Sequence, residues 1–497
     1  MNLSVRSTTL LARYCLSTRS FSIAPRSCRN DLSSVSSESG PLSGVRVLDL
    51  TRVLAGPYCT MLLGDLGAEV IKIENPQYGD DTRTWGPPWA ENKVPTDKSQ
   101  PESAYFLSVN RNKKSVAVNI KNPSGVALIC DLARRSDVLV ENYIPGKLDE
   151  MGLGYEELSR INPRLIYTSI TGYGPQGPYA QRAGYDVMIE VGTVQRILTF
   201  SNHILAIVTE PSIIVRQAEA GLMHITGEKD GRPVKVGVAI TGLYAHGAIM
   251  ASLLHRHATN RGQKVDCSLF ESQVASLVNI GSNYLIGGQE ATRMGTSHPS
   301  IVPYQVMPSS NSHMMIGAGN DRQFRILCHR IGLEHLPEDA RFKTNTDRVQ
   351  HRDELIALLE NRLKEHTTEH WLGVLEDAGI PFAPINNLEQ TFKHPQVLAR
   401  RMVQEVEHPK AGKIKLTGMR IALRPSCNLT HGCVTLTSQL ELKIAAGIPV
   451  KYSAAKPSIR LPPPTLGQHT REVLSDILEY DDHKIDKLAS EGAIRVG

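Results

Sequence analysis

From residue 45 onward the chain alternates short apolar runs with stretches of helical period, and this alternation constrains the fold more than any other feature. The runs are VRVLDL at 45–50, EVIKIE at 69–74, KSVAVNI at 114–120, DVLVENY at 137–143 and LIYTSI at 165–170. Between them lie TMLLGDLG, SGVALICDLARR and KLDEMGLGYEELSRI, each spaced as a helix. Strands buried on both faces read as near-continuous apolar runs, and parallel neighbours need a helix to connect them. The expectation is therefore α/β, with a Rossmann-like large domain. No GxGxxG follows any of the strands, which argues against a dinucleotide.

A smaller α+β domain is expected over 298–405, from the strand-like VPYQVM and HMMIGAG and the helices DRQFRILCHRIG and HRDELIALLENRLKEH. The large domain then spans 42–275, and 406–497 returns to it through the Pro-rich RLPPPTLGQHT and an amphipathic helix. Two segments break the rhythm, at 191–217 and 420–448. They have β-branched runs without a clean period, and both read as inserts. Loops tolerate such insertions at small entropic cost.

The chain has 497 residues, enough for two or three domains, and a formal charge of +5. That excess is local. Arg6, Arg13, Arg19, Arg26 and Arg29 precede the first acid, Asp31, and without these five the remaining 50 basic residues balance 50 acids. A neutral body removes the electrostatic basis for binding nucleic acid. The leader at 1–35 is Arg-rich and Ser-rich, with Leu10, Leu11 and Tyr14 placed to share a helical face, as in a mitochondrial presequence. The matrix is the expected compartment, and the eight scattered cysteines without CxxC are expected to be reduced thiols there. The most apolar interior run, ILAIVTEPSIIV, is interrupted by Glu210 and Pro211, so no membrane span is expected. Cys427, His431 and Cys433 lack two further ligands at zinc-like spacing, and no metal is expected.

The stretch VKVGVAITGLYAHGAIMASLL at 234–254 reads as a buried strand running into a helix, with Ile240, Thr241 and Gly242 at the joint. Such a joint in an α/β protein is where a reactive carboxylate would stand. None is present, because no Asp or Glu occurs between Asp230 and Asp266.

The blocks LDLTRVLAGPYCTMLLGDLGAEVIKIE, GDDTR, NRNKKSVAVNIKNPSG, SDVLVENYIPGKLDEMGLGYEEL, NPRLIYTSITGYGPQGPYAQRAGYD, RGQKVDCSLFES and LPPPTLGQHT, in this order, resemble the class III CoA-transferase (CaiB/BaiF) family. The resemblance runs from about residue 42 to 480 and is far more specific than a short motif. It implies a CoA-binding large domain, a smaller domain and an interlocked, ring-like homodimer. It implies an enzyme that moves CoA from succinyl-CoA to glutarate or a related dicarboxylic acid, with acyl-CoA thioesters as substrates and no permanently bound cofactor. In the family an Asp carboxylate takes the acyl group, dividing one difficult transfer into easier steps.

That Asp stands in a family block of the form GVAxTDLATGLYAHG. Here the block reads GVAITGLYAHG, four residues shorter, so the nucleophile has no counterpart. Asp186 in RAGYD is the nearest candidate substitute, at a spot where the family keeps a supporting acid. Arg52 and Ala55, in RVLAGP, fall at the end of the first strand, where a parallel sheet places ligands and a helix start offers amides. Asn119, Lys121, Asn142, Tyr143 and Lys147 match family positions that meet the adenosine and phosphate parts of CoA, although Glu150 stands near a place where some relatives carry Arg. Arg182, beside Tyr185, is the candidate for a distal substrate carboxylate, since guanidinium pairs with carboxylate at two points. GTSHP at 295–299 occupies the place of the family's mobile loop, with fewer glycines. Alternatives are a silent CoA-binding variant, a chain carrying translated intron at 191–217 and 420–448 with a misplaced exon edge near Ile240, and an acyl-CoA racemase, for which Tyr185 stands in the place of the needed His.

Overall fold

The computed structural model describes residues 40–182, 220–234, 240–417, 419–420, 446–447, 450 and 452–497. The apolar runs form strands β1 (Arg46–Asp49), β2 (Glu69–Glu74), β3 (Lys113–Val118), β4 (Val138–Glu141) and β5 (Ile166–Thr171), joined by β6 (Lys264–Ser268). All six are parallel to their neighbours, in the order β3-β2-β1-β4-β5-β6, and the short strand Ile494–Arg495 pairs antiparallel with the outer side of β3. The order reverses between β1 and β4. In doubly wound sheets a crevice opens at that reversal, beyond the carboxyl ends of the strands.

Alternation along each strand sends side chains to two cores. Val47, Val70, Val138 and Ile166 pack with α1 (Ala55–Asp65) and, through Ala245 and Ile249, with α4 (Ile240–Thr259). Leu48, Ile71, Val116 and Leu139 pack on the other face with α2 (Pro123–Arg134) and α3 (Tyr155–Ile161). Local signals agree with these boundaries. Asn122 caps α2 by accepting from the Ser124 N–H, with Pro123 at the first helical position. Gly242 is required where α4 meets α1, because a Cβ there would stand 2.6 Å from the Ala55 carbonyl oxygen.

The C-terminal residues complete this unit. Helices Thr470–Asp476 and Asp482–Ser490 share the core of β3 and α2. The Arg460 guanidinium donates to the carbonyls of Gly64, Gly67 and Ala68 at 2.8, 3.0 and 2.7 Å, satisfying acceptors at the end of α1. A separate core, with Phe324, Leu327, Leu355, Leu359 and Trp371 fully buried, lies around the antiparallel strands Tyr304–Pro308, His313–Gly317 and Phe382–Pro384.

Two readings need correction. The helix expected over 147–161 is broken: Asp149–Met151 form a single tight turn, and Gly152, at φ 71°, separates it from α3. The strand-to-helix joint placed at Ile240, Thr241 and Gly242 is already helix, since α4 begins at Ile240. Val234, assigned to a buried strand, is 48 % exposed, and residues 235–239 lie outside the described part. The leader at 1–35 and the insert at 191–217 also lie outside it. Of the segment 420–448 only the ends are described, and they meet: Met419 pairs with Gly447 and Arg420 with Ala446.

Buried charges bind the layers. Asp65, fully buried at the end of α1, accepts from Arg111 Nε and Nη2 at 2.9 and 2.6 Å and from Asn112 Nδ2 at 2.8 Å. Burial raises its pKa, while Arg111 opposes the rise. Replacing Asp65 by Ala strands the Arg111 cation, so Asp65→Ala is expected to cost about 3–5 kcal/mol in urea unfolding.

Glu141, at the end of β4 and 6 % exposed, accepts from the Tyr143 N–H at 2.7 Å. Burial pushes its pKa up to about 7, against the hydrogen bonds from Ser169 and Tyr143 and the charge of Lys264. The native state therefore holds a proton that the unfolded chain releases at about pH 4.5, and stability is lost as pH rises from there through 7. Glu141→Gln is expected to abolish that decline, raising stability at pH 8 by up to about 3 kcal/mol relative to its effect at pH 4.5, as read by urea unfolding across the range.

Candidate functional site

A cleft of about 650 Å³ opens at the β1/β4 reversal, within the range that suits a small-molecule site. Its walls come from the turn after β1, the segment after β2, the end of β3 and the loop after β4. Arg52, Asn119, Lys121, Tyr143 and Lys147 all line it, so five of the residues singled out in the sequence meet in one place.

Arg52 is fixed from three directions. Its backbone N–H donates to Asn142 Oδ1 at 3.0 Å, and Asn142 Nδ2 donates back to the Arg52 carbonyl at 2.8 Å. Its Nη1 lies 3.2 Å from Asp81 Oδ2, and its guanidinium stands 5.4 Å above the Tyr143 ring. Burial raises the pKa of Asp81, and Arg52 opposes that rise. The cleft thus offers a cation already oriented for an anionic ligand.

The remaining positions serve differently from one another. Asn142 stands behind Arg52 as a backbone clamp. Asn119 Oδ1 accepts from the Lys121 N–H at 3.1 Å, so its side chain shapes the turn before α2 while lining the cleft. Lys147 pairs with Glu150 at 2.7 Å, both exposed. Ala55 opens α1, whose first turn has no side-chain cap. Arg182 is exposed, with its guanidinium 4.2 Å over the Tyr179 ring, and does not line this cleft. Tyr185 and Asp186 lie outside the described residues, as do Cys427, His431 and Cys433.

Sequence reasoning missed the acidic wall. GDDTR places Asp80 and Asp81 in the cleft beside Lys72. Lys72 and Asp80, both 0 % exposed, meet at 2.8 Å, and Lys72 also donates to the Thr51 carbonyl at 2.8 Å. Burial opposes the Asp80 charge, but Lys72 and the hydrogen bonds from Lys72 and Thr82 outweigh it and hold the carboxyl at about 2. Asp80 accepts from the Val53 N–H as well, at 3.2 and 3.3 Å. Val53 has φ 70°. A β-branched residue in that region is strained, at a cost of about 1–3 kcal/mol, and persists only where its surroundings over-determine it. An Asp following Gly79 immediately downstream of a buried strand was the available signal.

Two further features lie beyond the cleft. A smaller cavity of about 250 Å³ lies against β5 and β6 beside the end of β4, lined by Glu141, Ser169, Lys264 and Asp266. The GTSHP turn, with Gly295 at φ 57°, is held by Arg352, whose Nη2 donates to the His298 and Pro299 carbonyls, each at 2.9 Å.

Comparison with known proteins agrees with this architecture. The family model described as CoA-transferase family III matches residues 42–197 and 213–470. A mouse protein named succinyl-CoA:glutarate CoA-transferase is 48% identical over 458 residues, covering 91% of this chain and 90% of the relative. The human protein of that name is 47% identical over the same shares, and an Agrobacterium fabrum succinate–glutarate CoA-transferase is 37% identical, covering 88% of this chain and 96% of the relative. The crystal structure of a CAIB/BAIF family protein from Brucella suis superposes with a TM-score of 0.70 at 35% identity, covering 88% of this chain and all of that one. With the sheet order, the cleft and these matches together, the chain belongs to CoA-transferase family III.

Proposed function

We propose that the cleft holds the nucleotide end of an acyl-CoA thioester, that the family reaction on this scaffold passes CoA from succinyl-CoA to glutarate or a related dicarboxylate, and that this chain lacks the carboxylate that carries the acyl group. The observation that carries the reading is the convergence of Arg52, Asn119, Lys121, Tyr143 and Lys147 on one cleft at the sheet's reversal point. The family chemistry needs a carboxylate oxygen that attacks the thioester carbonyl and expels CoA thiolate, leaving a mixed anhydride. The thiolate then attacks the enzyme's acyl carbon, releases succinate and leaves an aspartyl thioester. The incoming dicarboxylate repeats the exchange in reverse and leaves as its CoA ester.

The residues around the cleft supply binding and orientation for these steps. Arg52 and Lys121 meet phosphate or carboxylate oxygens, and the Tyr143 ring gives the nucleotide an apolar face. With the block restored after Ile240, the missing Asp would stand at the start of α4, and the start of that helix lies against Ala55, three residues from Arg52. Its absence leaves a binding site without its nucleophile. A silent CoA-binding protein is thus the reading for this chain as written, and transferase activity is what its scaffold supports when the block is whole. The break in the family match at 198–212, inside the segment 191–217, supports an altered wording there as well.

Two further readings complete the proposal. The Arg-rich leader supports the mitochondrial matrix. Leu254, Val278, Leu285 and Ile286, exposed by 73, 71, 82 and 89 %, form apolar surface on α4 and the helix Val278–Gly287 that a second copy of the chain would cover.

Calorimetric titration is expected to show coenzyme A binding to the purified chain, and Arg52→Ala is expected to weaken it by about tenfold or more, the loss of one charge-assisted contact. Succinyl-CoA-dependent transfer to glutarate is expected to be negligible, and hydroxylamine to trap no acyl-enzyme. Inserting Thr-Asp-Leu-Ala after Ile240 is expected to restore both signals. Turnover by the chain as written would overturn the missing-nucleophile reading.

A further inference from the structure

The turn between β1 and α1 contains a contradiction between residue type and backbone. Val53 sits at φ 70° with its side chain 2 % exposed, so a β-branched residue occupies a conformation that glycine or asparagine would adopt with less strain. The strain lies between Arg52, which lines the cleft, and the first turn of α1. Something must hold it there, and the structure shows what does.

The Val53 N–H points at both oxygens of Asp80, at 3.2 and 3.3 Å. Asp80 is itself held by Lys72, and Lys72 grips the same turn from its other side through the Thr51 carbonyl. The Asn142 amide closes around Arg52 at both its N–H and its carbonyl. Residues 51, 52 and 53 are therefore each clamped by a different side chain, and two of those clamps belong to one buried ion pair. A buried pair of this kind is weak evidence for stability, because desolvating two charges offsets much of their attraction. Its geometric consequence is specific: the carboxylate supplies the acceptor that makes the strained φ the preferred one.

We infer that Lys72 and Asp80 are positioning residues that force Val53 into its left-handed conformation and so aim Arg52 into the cleft. They act on the ligand through the backbone and touch no reacting atom. This rests on the reading of the cleft as a coenzyme A site. Without the pair, the turn relaxes toward ordinary Val geometry, and the Arg52 guanidinium must be re-ordered each time a ligand binds.

The test uses the full chain and coenzyme A as the probe. Lys72→Met/Asp80→Ala removes both charges together, avoiding a stranded cation, and is expected to weaken coenzyme A binding by about 10- to 100-fold in calorimetric titration. Adding Val53→Gly to that variant is expected to bring the affinity back to within about threefold of the original, because glycine adopts positive φ without the carboxylate. It should do so while lowering the melting temperature further, since a buried side chain is lost. Recovery of binding together with falling stability is a pattern that general damage to the fold does not produce. Should the two-residue variant fail to fold, Asp80→Asn, which keeps the shape and one acceptor oxygen, is expected to show a smaller loss with the same recovery. Unchanged affinity in the charge-free variant overturns the proposal, and so does a loss that Val53→Gly leaves uncorrected. If the unaltered chain binds no coenzyme A, the cleft reading falls. The positioning role is then decided by a crystal structure of the charge-free variant, where a Val53 φ still positive would overturn it.

Discussion

Two fully buried lysines, Lys72 and Lys113, tie β1, β2 and β3 together. Lys113 Nζ reaches Asp49 at 3.0 Å, the Pro57 carbonyl at 2.9 Å and Asn110 at 2.9 Å, joining β1, the first turn of α1 and the residue ahead of β3. Lys72 does the same for the turn after β1 and the GDDTR segment. Burial acts against both cations, and their carboxylate neighbours answer it unequally. Asp80, Asp49 and Glu74 more than offset burial for Lys72, whose pKa is raised, while burial prevails at Lys113 and lowers it to about 8. Charges this far from water are costly unless each has a partner in good geometry. Because these partners come from β1, β2, the first turn of α1 and the segments flanking β2 and β3, the charges remain paired only if those elements keep their relative positions. The cleft therefore inherits its shape from the requirement that these ions stay paired.

The same constraint separates what was legible in the sequence from what was not. The strands at 46–49, 69–74 and 166–171 were readable because burial on both faces demands apolar residues at successive positions. Helix α2 was readable from its period. The break at Gly152 was not, since a single glycine inside an amphipathic stretch is compatible with a continuous helix until its φ is known. The joint at Ile240 was misplaced for a related reason: glycine at Gly242 suggests a turn, whereas here it permits close contact between α1 and α4.

The candidate site was partly legible, and its limits are instructive. Resemblance pointed to Arg52, Tyr143 and Lys147, and the cleft gathers them. Asn142 was expected to orient a nucleotide, yet its amide is spent on the backbone of a residue 90 positions earlier. Asp80 and Asp81 stood out only as part of the GDDTR block, with no partner assigned to either. Only the fold reveals that β2 ends below the surface and that a cation waits there. Pairings across such distances leave no periodic trace along the chain.

Binding and chemistry are thereby built from different parts of this scaffold. The ion network that shapes the cleft is drawn from residues 49–113, reinforced by Arg460 on the carbonyls that end α1. The nucleophile of the family belongs to a joint beyond residue 230, carried by α4, which meets the first part of the sheet mainly through apolar contacts and the Gly242–Ala55 approach. On the proposed reading a joint four residues shorter would leave the buried ion pairs near the cleft intact, because among the described residues none of them involves α4. The missing-nucleophile reading proposed above is therefore compatible with a formed cleft, and on that reading selection for grip and for turnover would act on separate segments of the chain.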